Sequence, residues 1–216
     1  MSMLRFIPSV VINDSLAYHT INHKLNKYVG DPFNIVKILS DLNVDEISII
    51  VKDSIAANLL QNIAKYSRVP ISIVTSDFAA VNSSLFRAGF DRVGVKYCKK
   101  NEIFISEIVA LYGSSSIILT VDINQPNNDL AAFLTKIRFS EIIFYNKKVS
   151  GRLCGPDMEL ITGMINRYQK YGSPIGYEGG TTERFKLIGL SSVYYASKYI
   201  FSHDDSCGSS IMINPI

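Results

Sequence analysis

The chain has 216 residues, of which 47% are hydrophobic and 19% charged, with no tryptophan and a formal net charge of +3. That composition excludes a disordered chain, and the length suits one compact domain or at most two small ones. The longest apolar runs, such as Ile47–Val51 and Ile117–Val121, fall far short of the roughly 20 residues of a membrane span. The start, Met1-Ser2-Met3-Leu4-Arg5, lacks the apolar region of a signal peptide, so a cytoplasmic protein is expected. Lysines and arginines are scattered, and the Lys99-Lys100 pair reads as a solvated loop, so nucleic acid is not indicated. Cys98, Cys154 and Cys207 are widely spaced and form no zinc or CxxC pattern, which fits reduced thiols.

Short β-branched apolar runs alternate with longer amphipathic stretches. Arg5–Val11 is the first strand. Asp31-Pro32 opens a helix, with Asp as N-cap and Pro in the first position, and Ile35, Val36, Leu39 and Leu42 form its apolar stripe. Next come strand Glu46–Val51, helix Ile55–Tyr66, strand Ile71–Val74, helix Phe78–Ala88 with Gly89 as its stop, strand Arg92–Val95 and helix Glu102–Tyr112. The second half continues with strand Ile117–Val121, helix Leu130–Ile137, strand Glu141–Tyr145 and helix Pro156–Tyr171, stopped by Gly172. Strand Pro174–Tyr177, helix Thr182–Ile188 and strand Ser191–Tyr195 complete it. Strands this continuously apolar belong to a parallel sheet covered by helices.

Eight strands alternating with seven helices predict a single-domain (β/α)8 TIM barrel over residues 1–201, with an open doubly wound sheet as the runner-up. Residues 202–216 read as a C-terminal tail, loop through Gly208 and strand-like at Ser210–Ile213, so the last helix is reduced or missing. The two halves echo each other weakly. Leu85–Val93 resembles Phe185–Val193, and Asp45-Glu46-Ile47-Ser48-Ile49 resembles Ser140-Glu141-Ile142-Ile143-Phe144.

Reacting groups of such a barrel lie at the C-terminal ends of its strands. Asp122 directly follows the apolar run Ile117–Val121, where it suits a general acid or base; the plainer reading is an Asp that caps the next loop. Glu178-Gly179-Gly180-Thr181-Thr182 follows strand seven and opens a helix, a pattern that suits an anion, with Ala196-Ser197 after strand eight as the other wall. At the opposite end Arg5, Glu46, Arg92 and Glu141 each begin a strand. Pointing inward they would form a charge-balanced ring closing the barrel floor; pointing outward they would only solubilise it. His19, His23 and His203 have no metal-ligand spacing and read as loop histidines. No metal or other cofactor is expected.

The segments Arg5-Phe6-Ile7-Pro8-Ser9-Val10, Tyr28-Val29-Gly30-Asp31-Pro32 and Val44-Asp45-Glu46-Ile47, in that order, resemble the cyclase subunit of imidazole glycerol phosphate synthase. Ala88-Gly89-Phe90-Asp91-Arg92-Val93, Thr120-Val121-Asp122, Gly179-Gly180 and Ala196-Ser197 extend the resemblance to about Phe201. It implies a (β/α)8 barrel that receives ammonia from a glutamine amidotransferase partner docked on its floor and acts on a phosphorylated small molecule. The second catalytic aspartate of the family matches Asp122. One of its two phosphate sites matches Gly151, Gly179, Gly180, Ala196 and Ser197. Its charged ammonia gate matches Arg5, Glu46, Arg92 and Glu141 with the same signs, and Asp91 matches a partner-facing position.

The departures cluster on the catalytic face. Val11 stands where the resemblance implies the first catalytic aspartate, and a valine transfers no proton. The lysine of the following loop falls near His19, the aspartate ending strand two falls on Val51, Thr75-Ser76-Asp77 replaces a glycine run, and Lys96-Tyr97 replaces an Asn-Thr pair. The tail Ser210-Ile211-Met212-Ile213-Asn214-Pro215 resembles that of paralogues associated with surface-polysaccharide genes, where the pair is thought to amidate a sugar. Three functions are therefore expected in descending order: an ammonia-using synthase subunit of the sugar-amidation type, a genuine histidine-pathway cyclase, and a non-catalytic partner-binding barrel. At about 27 residues per βα unit the chain is shorter than the ~250 typical of this barrel, and the shortfall lies in catalytic-face loops and the last helix.

Overall fold

A computed structural model describes residues 4–22, 24–52, 57–75, 83–125, 127–152, 154–180 and 189–196. In chain order they form β1 (Arg5–Asn13), β2 (Leu16–Ile21), β3 (Lys24–Gly30), α1 (Pro32–Asp41), β4 (Ile47–Val51), α2 (Ala57–Tyr66), β5 (Ile71–Thr75), α3 (Ser83–Arg87), β6 (Arg92–Lys96) and α4 (Glu102–Tyr112). Then follow β7 (Ile117–Asp122), α5 (Leu130–Leu134), β8 (Glu141–Tyr145), α6 (Met158–Tyr168), β9 (Ile175–Glu178) and β10 (Ser192–Ala196). Among the described residues β1 and β4 to β10 are eight parallel strands, each hydrogen-bonded to the next. Pairing of β10 with β1, from Arg5↔Ser192 to Ser9↔Ala196, closes the ring. The fold is therefore the expected (β/α)8 barrel and not the open sheet. No described helix is long and apolar enough to cross a membrane.

Strand alternation divides the side chains into two sets. Outward residues such as Val10, Ile49, Ile73, Val95, Leu119 and Phe144 share one core with helix residues such as Ile35, Leu39, Ile63, Ile105 and Ile165. Inward residues make a small separate cluster of Ile7, Ile118, Ile143 and Tyr194. The caps expected at the first helix are present: Asp31 Oδ1 accepts from the Phe33 amide at 3.2 Å, with Pro32 opening α1. Asp157 does the same for α6, accepting from the Leu160 amide at 3.0 Å. The helix expected over Leu130–Ile137 ends at Leu134, because Thr135 turns its hydroxyl back on the Ala132 carbonyl and the Lys136 amide bonds to Phe133, closing a tighter turn. The helix expected over Phe78–Ala88 is described from Ser83 to Arg87. The Thr182–Ile188 helix, the tail 202–216, Ser197, His23, His203 and Cys207 lie outside the described residues.

One element departs from the sequence reading. The stretch around His19, expected as loop, is a hairpin. Strand β1 continues to Asn13 and reverses through Asp14 and Ser15, both at positive φ (45° and 65°), into β2. Positive φ at both central residues is the turn that matches the twist of a two-residue hairpin. His19 sits in β2 opposite Lys27 and is buried, so it is a strand residue and not a loop histidine. The loop after β8 folds onto this hairpin. The Asn22 amide donates to the Ser150 carbonyl at 2.8 Å, and Arg152 Nε donates to Asn22 Oδ1 at 2.8 Å. Between them Gly151, at φ +72°, passes so close that a Cβ would lie 1.8 Å from the Thr20 carbonyl oxygen. Gly151→Ala is expected to cost about 1–3 kcal/mol and to undock the loop. Urea unfolding and faster amide exchange at Asn22 will register it; unchanged exchange there would contradict this packing.

Candidate functional site

The four charges at the strand starts point inward and meet. Arg5 lies 3.0 Å from both Glu46 and Glu141, and Arg92 lies 2.6 Å from Glu46 and 3.0 Å from Glu141. The result is a closed, charge-neutral ring across the floor. Its members are unequally covered: the side chains of Glu141, Glu46, Arg92 and Arg5 are 0, 3, 13 and 34% exposed. Tyr194 donates to Glu141 at 2.7 Å, and the hydroxyls of Ser191 and Ser192 also donate to it. Burial pushes the Glu141 carboxyl up, but Arg92, Arg5 and the hydroxyl donors outweigh it and hold it below the ordinary glutamate range.

The residue before every second barrel strand ties down the start of the strand preceding it. Asp45 accepts from the Phe6 amide at 2.9 Å and Asp91 from the Ile71 amide at 2.8 Å. Ser140 donates to the Ile117 carbonyl at 2.8 Å and Ser191 to that of Ile175 at 2.7 Å. The next residue in each case, Glu46, Arg92, Glu141 or Ser192, then faces inward as one layer of four from alternate strands. Asp45 and Ser140, equivalent in the weak internal repeat, thus do the same work. Asp91, the expected partner-facing residue, is exposed.

Above the ring lies the apolar layer of Ile7, Ile118, Ile143 and Tyr194. Small or hydroxylated residues occupy the inward positions Ser9, Ser48, Ser72, Gly94, Thr120 and Gly176, and the apolar Val11, Ile50 and Val74 follow toward the mouth. Gly176 is glycine because a Cβ would lie 2.5 Å from Ser192 Oγ and 3.1 Å from Glu141. Among the described residues Ser9 and Ser72 bury their hydroxyls without a hydrogen-bond partner, which is uncommon for buried polar groups.

At the mouth Asp122 ends β7 and is buried. Its Oδ1 accepts from the Asn124 amide at 3.0 Å and side chain at 3.2 Å, and Lys147 Nζ lies 3.0 Å from Oδ2. Burial raises its pKa, but the bonds from Lys147 and Asn124 prevail and hold it below the ordinary value. Asp122 therefore caps its loop and also remains a charged group at the strand end. Glu178 shares its row: Asp122 is opposite Tyr145, and Tyr145 opposite Glu178. Burial raises Glu178 to about 7, against a smaller opposing pull from Lys52. Two carboxylates in one row are thus pushed apart, one held ionised and one poised near neutrality.

Glu178, Lys52 and Lys147 were not singled out from the sequence as reactive groups. For Glu178 and Lys52 the signal was there, a charge at the end of an apolar strand as at Asp122, whereas Lys147 lies two residues beyond β8. Of the anion-site residues, Gly179 (φ +138°) and Gly180 (φ +64°) lie against the loop after β8. A Cβ on Gly180 would be 2.4 Å from the Gly155 carbonyl oxygen. Ala196 ends β10 beside β1. Tyr97, which replaces a polar residue of the resembled family, turns outward, is buried and donates to Glu102 at 2.9 Å. Among the described residues no three His, Cys, Asp or Glu side chains converge as metal ligands.

No protein-family model matches the chain. It is 27% identical over 129 residues to a Pseudomonas aeruginosa protein provisionally named imidazole glycerol phosphate synthase subunit hisF2, covering 55% of the chain and 50% of the relative. The Vibrio vulnificus protein provisionally named subunit hisF3 is 26% identical over 132 residues, covering 56% and 50%. A Leptospira borgpetersenii protein provisionally named subunit HisF is 24% identical over 192 residues, covering 81% and 71%. The chain thus spans about half the length of the first two relatives. Mutant tryptophan synthase alpha-subunits of Pyrococcus furiosus superpose with TM-scores of 0.62 and 0.63 at 12% identity, covering 89% and 92% of this chain and 87% and 90% of theirs. That likeness is one of fold.

Glu141→Gln leaves the largely covered Arg92 and the partly exposed Arg5 facing one carboxylate and is expected to cost about 3 kcal/mol at pH 7. Because the folded pKa of Glu141 is depressed, its contribution is complete above the unfolded value of about 4.3 and is lost as pH falls through the folded value. Urea unfolding of both proteins should therefore show a full gap at pH 7 that closes only in acid; a gap constant down to pH ~3 would contradict the ring's electrostatics.

Proposed function

Taking the chain as a divergent relative of the HisF-like proteins, we propose that it is the synthase subunit of an amidotransferase pair. It receives ammonia from a glutamine amidotransferase docked on the barrel floor and passes it to a phosphorylated substrate at the mouth. The observation that carries this reading is the ring of Arg5, Glu46, Arg92 and Glu141. Burying four charges adds little stability over apolar residues of the same volume, so closing an inlet gives the ring a use. Arg5, its most exposed member, swings aside under the partner. The layer of Ile7, Ile118, Ile143 and Tyr194 excludes ions and admits neutral ammonia.

At the mouth Asp122 takes the proton that the nitrogen sheds as the carbon–nitrogen bond forms, and Glu178 gives one to the departing group. The substrate phosphate is held by Gly179 and Gly180 with Gly151, Ala196 and Ser197; Gly180 rests on the loop after β8, which Gly151 fastens to the hairpin. Val11, where the resemblance implies an aspartate, favours a sugar amidated in surface-polysaccharide assembly over the histidine-pathway nucleotide. The same loss leaves a non-catalytic, partner-binding barrel as the reading to be separated by experiment.

Tagged chain purified from its native cells is expected to retain a class I glutaminase. The Asp122→Asn chain should retain it equally while product formation falls by about 10²–10⁴. Absence of any glutaminase overturns the proposal. Undiminished product formation by Asp122→Asn makes the barrel a scaffold, and growth of a cyclase-deficient histidine auxotroph returns it to histidine biosynthesis.

A further inference from the structure

The ribbon of β2 and β3 stands off the barrel at its mouth. Residues 24–28 of β3 are exposed one after another, so neither face of that strand is covered, and its outer edge pairs with no strand among the described residues. Alternation along β2 puts Leu16 and Tyr18 on one face, and the register sets Tyr28 opposite Tyr18 and Leu25 opposite Thr20 on that same face. The Tyr18 and Tyr28 rings meet edge to face at 6.1 Å. Leu16, Leu25 and Tyr28 are 40, 43 and 53% exposed, three of the eight large apolar side chains that the described residues leave exposed. Gathered on one face of one ribbon they form a patch, unlike the scattered apolar residues of an ordinary surface.

The same ribbon is basic. Lys24 and Lys27 are exposed on β3, and Arg152 reaches across to Asn22 at the turn between β2 and β3, 2.8 Å away. Among the described residues none of these three cations is ion-paired. The ribbon's one carboxylate, Asp14, lies at the other turn, where it accepts from the Asn13 side chain at 2.8 Å. Lysines on an edge strand discourage pairing with another chain. That accounts for Lys24 and Lys27 but not for two leucines and a tyrosine beside them.

We propose that this face of the ribbon docks on an anionic lipid surface. Leu16, Leu25 and Tyr28 enter the headgroup layer, where a tyrosine places its ring in an apolar and its hydroxyl in a polar setting. The two lysines, on long stems at the ribbon edge, reach the lipid phosphates. Binding of this kind sums buried apolar area and attraction to anionic headgroups, and the ribbon supplies both. The charges also decide against a second copy, since docking through the same face across a two-fold axis brings like charges together. A projecting ribbon has no hollow to receive a protein side chain, whereas a fluid headgroup layer moulds to it. The inference does not rest on the functional reading above: docking turns the barrel mouth toward the lipid and leaves the floor free for a partner.

The test is cosedimentation of the full chain with vesicles of equal parts phosphatidylglycerol and phosphatidylcholine, and with vesicles of phosphatidylcholine alone. Binding to the mixed vesicles, far weaker on phosphatidylcholine and falling with salt, is expected. Leu25→Ser and Tyr28→Ser should each weaken it about tenfold, and Lys24→Gln and Lys27→Gln about fivefold each. Ile103→Ser on α4, at the most exposed large apolar side chain among the described residues, should leave it unchanged. The chain has no tryptophan, so Tyr28→Trp supplies a single reporter whose emission should shift to the blue on the mixed vesicles, while that of Ile103→Trp stays where it is. Absence of binding overturns the proposal. So does binding that neither Leu25→Ser nor Tyr28→Ser weakens, which is attraction of charge alone. A concentration-dependent dimer that Leu25→Ser dissolves would assign the face to a second copy and overturn it as well.

Discussion

The barrel depends on one electrostatic closure. Two arginines and two glutamates, brought from four strands, satisfy one another across a floor that buries both carboxylates and leaves Arg5 partly in water. Each charge is tolerable there only because its partners are in place. The requirement propagates outward: Glu141 needs hydroxyls at 191, 192 and 194, and Gly176 must lack a side chain so that Ser192 and Tyr194 can reach it. The stitching residues Asp45, Asp91, Ser140 and Ser191 fix the strand starts at the height the ring demands.

Alternate strands give the molecule its two ends. The strands that begin at or just after Glu46, Arg92 and Glu141 finish near Lys52, Lys96 and Lys147, so the floor is neutral and closed while the mouth carries charges. The apolar layer of Ile7, Ile118, Ile143 and Tyr194 separates them. On the proposed reading this separation is what the protein is for, with a neutral molecule crossing from one end to an anionic substrate at the other.

The eight strands were legible because their outer faces and cores are continuously β-branched, and a strand buried on both sides reads as an apolar run. The floor charges were legible for the same reason, as single ions interrupting such runs at one end. The hairpin of β2 and β3 was not, because residues 24–28 are exposed and polar and the turn at Asp14-Ser15 lacks the glycine that usually marks it. Asp122 was legible as a charge after an apolar strand, and Glu178 carries the same mark, but that they share one row across Tyr145 depends on strand register, which no local pattern encodes. Gly151 matched an anion site only through the resemblance, and its close approach to Thr20, which no local pattern shows, gives the glycine a packing reason as well.

The most direct measurement is amide exchange of the chain with and without the glutaminase it is proposed to bind. Slowed exchange confined to the floor, in residues 43–46 and 89–92 beside Arg5, with residues 147–152 at the mouth unchanged, is the predicted result. Protection at the mouth, or none on the floor, would contradict an ammonia-receiving barrel closed by the ion-pair ring.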